Sequence, residues 1–147
     1  MKKTNNKGFS LVELIIVVAI MAILIGVLAP QYIKYVEKSR VSADEDTMDS
    51  LTKAVQTAVT DDDYYEDIAK DDNIVIKNSG NTISTNLTAP IAEYYGDITN
   101  VKFKSKEYKG CTCTITVIEL TNGDGEVTGY AAERTVSGSL SKDGTYR

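Results

Sequence analysis

Histidine and tryptophan are absent from this 147-residue chain. Without histidine, the commonest general base and the commonest metal ligand are both missing. Catalysis would have to rest on paired carboxylates or on a thiol. The two cysteines, Cys111 and Cys113, have no obvious base beside them, and the acidic runs carry no apolar pocket pattern. No enzyme is expected, and no catalytic residue is assigned. Basic charge is also scarce, with 16 Lys and Arg against 21 Asp and Glu. Lys2, Lys3 and Lys7 precede everything else, which leaves 13 basic residues for the rest. Such an acidic body offers no groove for a phosphate backbone, so no nucleic-acid partner is expected of the subunit alone.

The length is one domain's worth of chain, but the composition is uneven. From Phe9 to Ala29 the only charged residue is Glu13. As a helix those residues would extend about 31 Å at 1.5 Å per residue, against a bilayer core of about 30 Å. The basic stretch in front would stay cytoplasmic and leave the C-terminal body outside. A cleaved secretory signal fits less well, because the run is long and Pro30 follows the small-residue site Val27-Leu28-Ala29 directly. No cysteine follows the run, which excludes a lipoprotein signal. A retained membrane helix is the better reading.

Glu13 is the anomaly. A carboxylate in an apolar run costs roughly 2.5–3.5 kcal/mol at mid-bilayer and less near the edge, where Glu13 would lie. Either it snorkels to the interface of a plain anchor, or it has a partner and a function.

Its neighbours separate these readings. Lys7-Gly8-Phe9-Ser10-Leu11-Val12-Glu13, followed by an unbroken apolar run, resembles the processing site of the type IV prepilins. The resemblance covers roughly residues 7 to 40, and Pro30 matches a proline that the family often carries. It implies cleavage by prepilin peptidase between Gly8 and Phe9, followed by N-methylation of Phe9. It also implies that Glu13, fifth in the mature chain, pairs with the Phe9 amine of a neighbour during assembly. The implied function is a structural subunit, the major one, of a type IV pilus. The subunit would be held in the cytoplasmic membrane with its head outside, then polymerised into an extracellular filament. Adhesion, twitching motility and biofilm formation are the family's activities. Implied partners are further copies of the chain, prepilin peptidase, the inner-membrane assembly platform and minor pilins, with the membrane before assembly. A pseudopilin of a type II secretion or competence system shares the same N-terminal features and is the alternative.

Beyond Pro30, helical periodicity continues through Val41, Met48, Leu51, Val55 and Ala58, with Asp44 interrupting the stripe. One helix is expected from about Phe9 to about Thr60, kinked at Pro30 and stopped by Asp61-Asp62-Asp63. Two separate helices broken at Pro30 would place the same amphipathic half against the head. The acidic residues 61–72 lack the spacing of an EF-hand loop and read as a solvated loop. Ile74-Val75-Ile76 is a short apolar run, and Ser79-Gly80-Asn81 reads as a turn. Asn86-Leu87-Thr88 is formally a glycosylation sequon. Val101 to Lys109 is expected to form a strand turning at Lys109-Gly110. Cys111, Cys113, Ile115 and Val117 then alternate on one face of the next strand. Asn122-Gly123-Asp124-Gly125 makes a hairpin, a simpler reading than a calcium loop, and Glu126 to Val136 returns. Asp143-Gly144 is a further turn. A disulfide between Cys111 and Cys113 would close a strained ring, so small buried thiols are expected instead. The pattern of disulfide-looped pilins does not extend to this head.

The expected fold is therefore α+β, a long N-terminal helix whose second half packs on an antiparallel sheet of three or four strands. The organisation is a leader at 1–8, an apolar helix half at 9–29, an amphipathic half at 30–60 and a β head at 61–147. No cofactor, metal site or disulfide is expected.

Overall fold

The computed structural model describes residues 8–138. Lys2, Lys3, Lys7 and the Asp143-Gly144 turn lie outside them. The first helix, α1, covers Leu11–Ala58 without interruption at Pro30, so the chain here is one helix and not two. The start falls two residues later than the pattern predicts, because Ser10 serves as the cap. The helix ends before the aspartates, where Thr60 N–H bonds to Thr57 O and Asp61 N–H to Ala58 O. These three-residue closures tighten the last turn. The chain divides into two compact units at Glu37/Lys38.

In the first unit, every large apolar side chain from Phe9 to Leu28 is at least 48% exposed. Tyr32, Ile33 and Tyr35 are exposed as well. Among the described residues no second helix covers this surface. The helix is long and apolar enough to cross a membrane.

The second unit has a hydrophobic core. From α1 it takes Met48, Leu51, Ala54, Val55 and Ala58, spaced at three and four residues as one helix face requires. Against them lie Ile74 and Ile76 of strand β1 (Asn73–Lys77) and Cys113, Ile115 and Val117 of strand β3 (Thr112–Thr121). Each fully buried aliphatic side chain contributes about 1.5–3 kcal/mol of transfer free energy. The sheet order is β2-β1-β3-β4, with β2 at Thr82–Ile83 and β4 at Val127–Ser137. All pairings are antiparallel, with Ile74 opposite both Ile83 and Ile115, and Val117 opposite Ala132.

Two turns form where the sequence places them. Gly80 N–H bonds to Lys77 O between β1 and β2, and Gly125 closes the β3–β4 hairpin at φ 83°. Glycine reaches that φ without a Cβ clash.

Two segments differ from expectation. Thr85–Tyr94 is a helix, α2, which buries Leu87, Pro90 and Ile91. It contains Asn86 of the sequon, whose amide donates to the Asp72 carboxylate at 3.0 Å. Val101 to Lys109 is not a strand, and its expected place beside β3 is taken by β1. Burial does alternate along it, with Phe103 and Ser105 inside and Lys102, Lys104 and Lys106 outside. Its polar backbone groups, however, are met by side chains instead of a ladder. Asn78 accepts from Phe103 N–H and donates to the carbonyls of Phe103 and Lys109. Asn81 donates to the carbonyls of Ile98 and Val101.

Candidate functional site: the start of the apolar helix

Gly8, Phe9 and Ser10 lie outside α1 and are all exposed, with Phe9 at 88%. The Gly8–Phe9 peptide bond is therefore in accessible, non-helical chain. A Cβ added at Gly8 would meet nothing within 4 Å. Space around Gly8 within the chain itself therefore does not dictate glycine there.

Three residues further on, the Glu13 carboxylate accepts a hydrogen bond from Ser10 N–H at 2.9 Å. Ser10 O in turn accepts from Leu14 N–H at 3.2 Å. Ser10 is thus the N-cap and Glu13 the third helical residue, whose side chain reaches back to the cap's backbone. This is one half of a capping box. A carboxylate in the first turn also complements the helix dipole. Among the described residues Glu13 has no cationic partner. The structure thus brings Ser10 and Glu13 together and gives Glu13 a local role that the sequence reading did not assign.

Pro30 sits inside α1 among exposed neighbours. Its missing N–H removes one intrahelical bond, and the helix carries on through it.

The second unit holds one polar constellation that the sequence reading missed. Asp44, which seemed to break the apolar stripe, is 3% exposed. Its carboxylate accepts from Lys104 N–H at 2.9 Å, from Ser105 N–H at 2.8 Å and from the Ser105 hydroxyl at 2.6 Å. Asp44 lies three residues after Val41 and four before Met48, on the stripe that faces the core, and this spacing is the available signal for an inward carboxylate. Its partners, 60 residues away, could not be read from local pattern.

Cys111 and Cys113 are both buried free thiols. Burial pushes both above the ordinary thiol range; Glu107 adds to the rise at Cys111, while Arg134 opposes it at Cys113. Such thiols are poor nucleophiles. Among the described residues no group of three or more carboxylates and thiols could hold a metal ion.

Residues 3–29 match the family described as the prokaryotic N-terminal methylation motif. The chain is 42% identical to the type IV major fimbrial protein FimA of Dichelobacter nodosus over 59 residues, 40% of this chain and 38% of that protein. It is 36% identical to the type IV major pilin protein PilA of Myxococcus xanthus over 67 residues, 46% of this chain and 30% of that one. The longest of these matches is 33% identity over 115 residues with the type IV major pilin protein PilE1 of Neisseria gonorrhoeae, 78% of this chain and 59% of that one. The chain thus spans less than two thirds of the length of each of these relatives. No solved structure matches it.

Proposed function

We propose that this chain is a type IV pilin, a structural subunit of a type IV pilus. One observation carries the reading. From Phe9 through the helix to Leu28 the chain exposes a continuous apolar surface that no other described residue covers. Such a surface needs hydrocarbon or other helices around it. A subunit that waits in the membrane and then packs its helix against copies of itself meets both needs in turn. The names of the three relatives, all major pilins or fimbrial proteins, favour a pilus over a secretion pseudopilin.

In this reading residues 1–8 are a leader, removed by prepilin peptidase between Gly8 and Phe9. Residues 9–29 are bilayer anchor and then filament core, residues 30–60 the amphipathic half with a bend at Pro30, and residues 61–147 the surface head. The new amine on Phe9, N-methylated, meets Glu13 of a neighbouring copy. In the uncut chain no amine is available at Phe9, and among the described residues the Glu13 carboxylate accepts only from the neutral Ser10 N–H, on one oxygen. Its free acceptor sites can take a cation as well, which is favourable once water is excluded, because an unpaired buried charge is strongly destabilising. Processing would therefore gate assembly. The assembly platform, minor pilins, adhesion and motility belong to the same proposal, and no catalytic activity is part of it.

N-terminal sequencing and mass measurement of sheared surface filaments test the reading. The expected mature chain begins at methylated Phe9. Filaments lacking this chain, or containing it with Met1 to Gly8 still attached, would overturn it.

A further inference from the structure

The charges of the second unit are sorted by end. Along α1, Asp44 receives Lys104 and Ser105 at one end, and the acidic loop 61–72 follows Ala58 at the other. Ala58 is 14 positions beyond Asp44, about 21 Å along the helix. The sheet repeats the same axis. Lys77 pairs with Thr112 at the first end, while Asn73 pairs with Thr116 and Asp71 N–H bonds to Val117 O towards the second.

At the first end Lys102, Lys104 and Lys109 are exposed. None of their amines has a carboxylate partner among the described residues. Lys77 and Lys109 also line an open cleft of about 410 Å³ together with Ser79 and Thr112. The carboxylates nearby are largely engaged. Asp44 holds its three donors, Glu45 accepts from the Tyr108 hydroxyl, and Asp49 is paired with Arg134. Asp46, Asp97 and Glu107 remain on that side, outnumbered by Lys77, Lys102, Lys104, Lys106 and Lys109.

At the second end Asp62, Asp63, Glu66 and Asp67 are exposed, and the hairpin tip adds Asp124 and Glu126. Lys70, the cation beside them, is bound to Glu119 at 3.1 Å.

We propose that the lysine end of one copy docks on the acidic end of another, a head-to-tail contact between pilin heads. The partner is a second copy of this chain, because the two ends are complementary in charge and each end repels its own kind. A contact between two different patches of one molecule is heterologous. Unless it closes into a ring it continues as an open filament. The proposal rests on the pilus reading above and adds to it the residues that select the register of the heads.

The test uses the full chain in cells and compares the sheared filament yield with the membrane-held pool. Lys102→Glu, Lys104→Glu and Lys109→Glu together are expected to lower the filament yield by about tenfold, as like charges come to face each other. The set Asp62→Lys, Asp63→Lys and Glu66→Lys is expected to do the same. A chain carrying both sets has its polarity reversed and is expected to recover most of the yield. Trypsin resistance of the membrane pool reports folding. A set that loses it is replaced by the milder Lys→Gln and Asp→Asn changes, with a loss of about threefold expected. Filaments at unchanged yield from either set would overturn the docking. So would a doubly reversed chain that is folded but assembles as poorly as the single sets. Absence of filaments from the unsubstituted chain would instead sink the pilus reading, and this proposal with it.

Discussion

Asp44 shows how one buried carboxylate can anchor a segment that has no secondary structure of its own. Its three donors come from Lys104 and Ser105, and none of them has a ladder partner to fall back on. Replacing Asp44 by Ala leaves these donors without an acceptor in a buried site. Each orphaned donor costs about 1–3 kcal/mol, so Asp44→Ala is expected to lower the midpoint of thermal unfolding of the detergent-solubilised chain markedly. Ser105→Ala removes the hydroxyl, which donates to Asp44 and accepts from Tyr108 N–H, and should cost about 1–2 kcal/mol, less than Asp44→Ala. Equal melting of the two variants would show that Asp44 does not hold the loop. The thiols make a second residue-scale prediction. Burial raises both pKa values, so the folded state keeps protons that the unfolded state gives up. Stability from this source is fully present below the ordinary thiol pKa of about 8.5 and is lost as pH rises through the raised values. Iodoacetamide at pH 8 should label neither Cys111 nor Cys113 in the folded chain and both in urea. Prompt labelling of the folded chain would contradict their burial.

At the scale of elements, the hairpin joining β3 to β4 depends on Asn122. Its side-chain oxygen accepts from Asp124 N–H at 3.0 Å and from Glu126 N–H at 2.9 Å, which organises the turn before Gly125 closes it. Asn122→Ala should destabilise the head by about 1 kcal/mol. Gly125→Ala, at φ 83°, should also destabilise it, by about 1–2 kcal/mol. Denaturant midpoints check both, and an unchanged midpoint for each would show that the turn is held by the strands alone. This hairpin was legible because its determinants are local, as were β1, the alternation in β3 and the buried face of α1. The segment 101–109 was misread for a physical reason. Alternating burial follows from any extended chain lying on a core, while a strand also needs a ladder, and here Asn78, Asn81 and Asp44 replace it. Helix α2 was missed because Pro90 and a run of polar residues mask the Leu87/Ile91 pair. What makes it a helix is tertiary, since Leu87, Pro90 and Ile91 are covered by the shared core. The candidate site is legible by motif, whereas the Ser10–Glu13 cap shows only once the helix start is fixed at Leu11.

At the scale of the whole molecule, Glu13 has two tasks that truncation to Ala does not separate but substitution by Gln does. It caps the start of α1 through Ser10 N–H, and in the proposed filament it carries the charge that meets the Phe9 amine. Ala removes both. Gln keeps a carbonyl oxygen able to accept from Ser10 N–H but carries no charge. If capping were the only function, Glu13→Gln would assemble nearly as the unsubstituted chain does, because a neutral acceptor satisfies the same donor. If the charge is needed, Glu13→Gln should fail almost as completely as Glu13→Ala, with both chains still cut after Gly8 and held in the membrane. The second outcome is expected. An amine packed among apolar helices without its carboxylate is an uncompensated charge, worth about 3–5 kcal/mol per contact. That penalty arises only on assembly, whereas a lost cap costs each helix about 1 kcal/mol in the membrane and in the filament alike. Cleavage is read from the mass of the membrane-held chain and assembly from the sheared fraction. Normal filament yield from a cleaved Glu13→Gln chain would reduce Glu13 to a helix cap and remove the reason for processing to gate assembly.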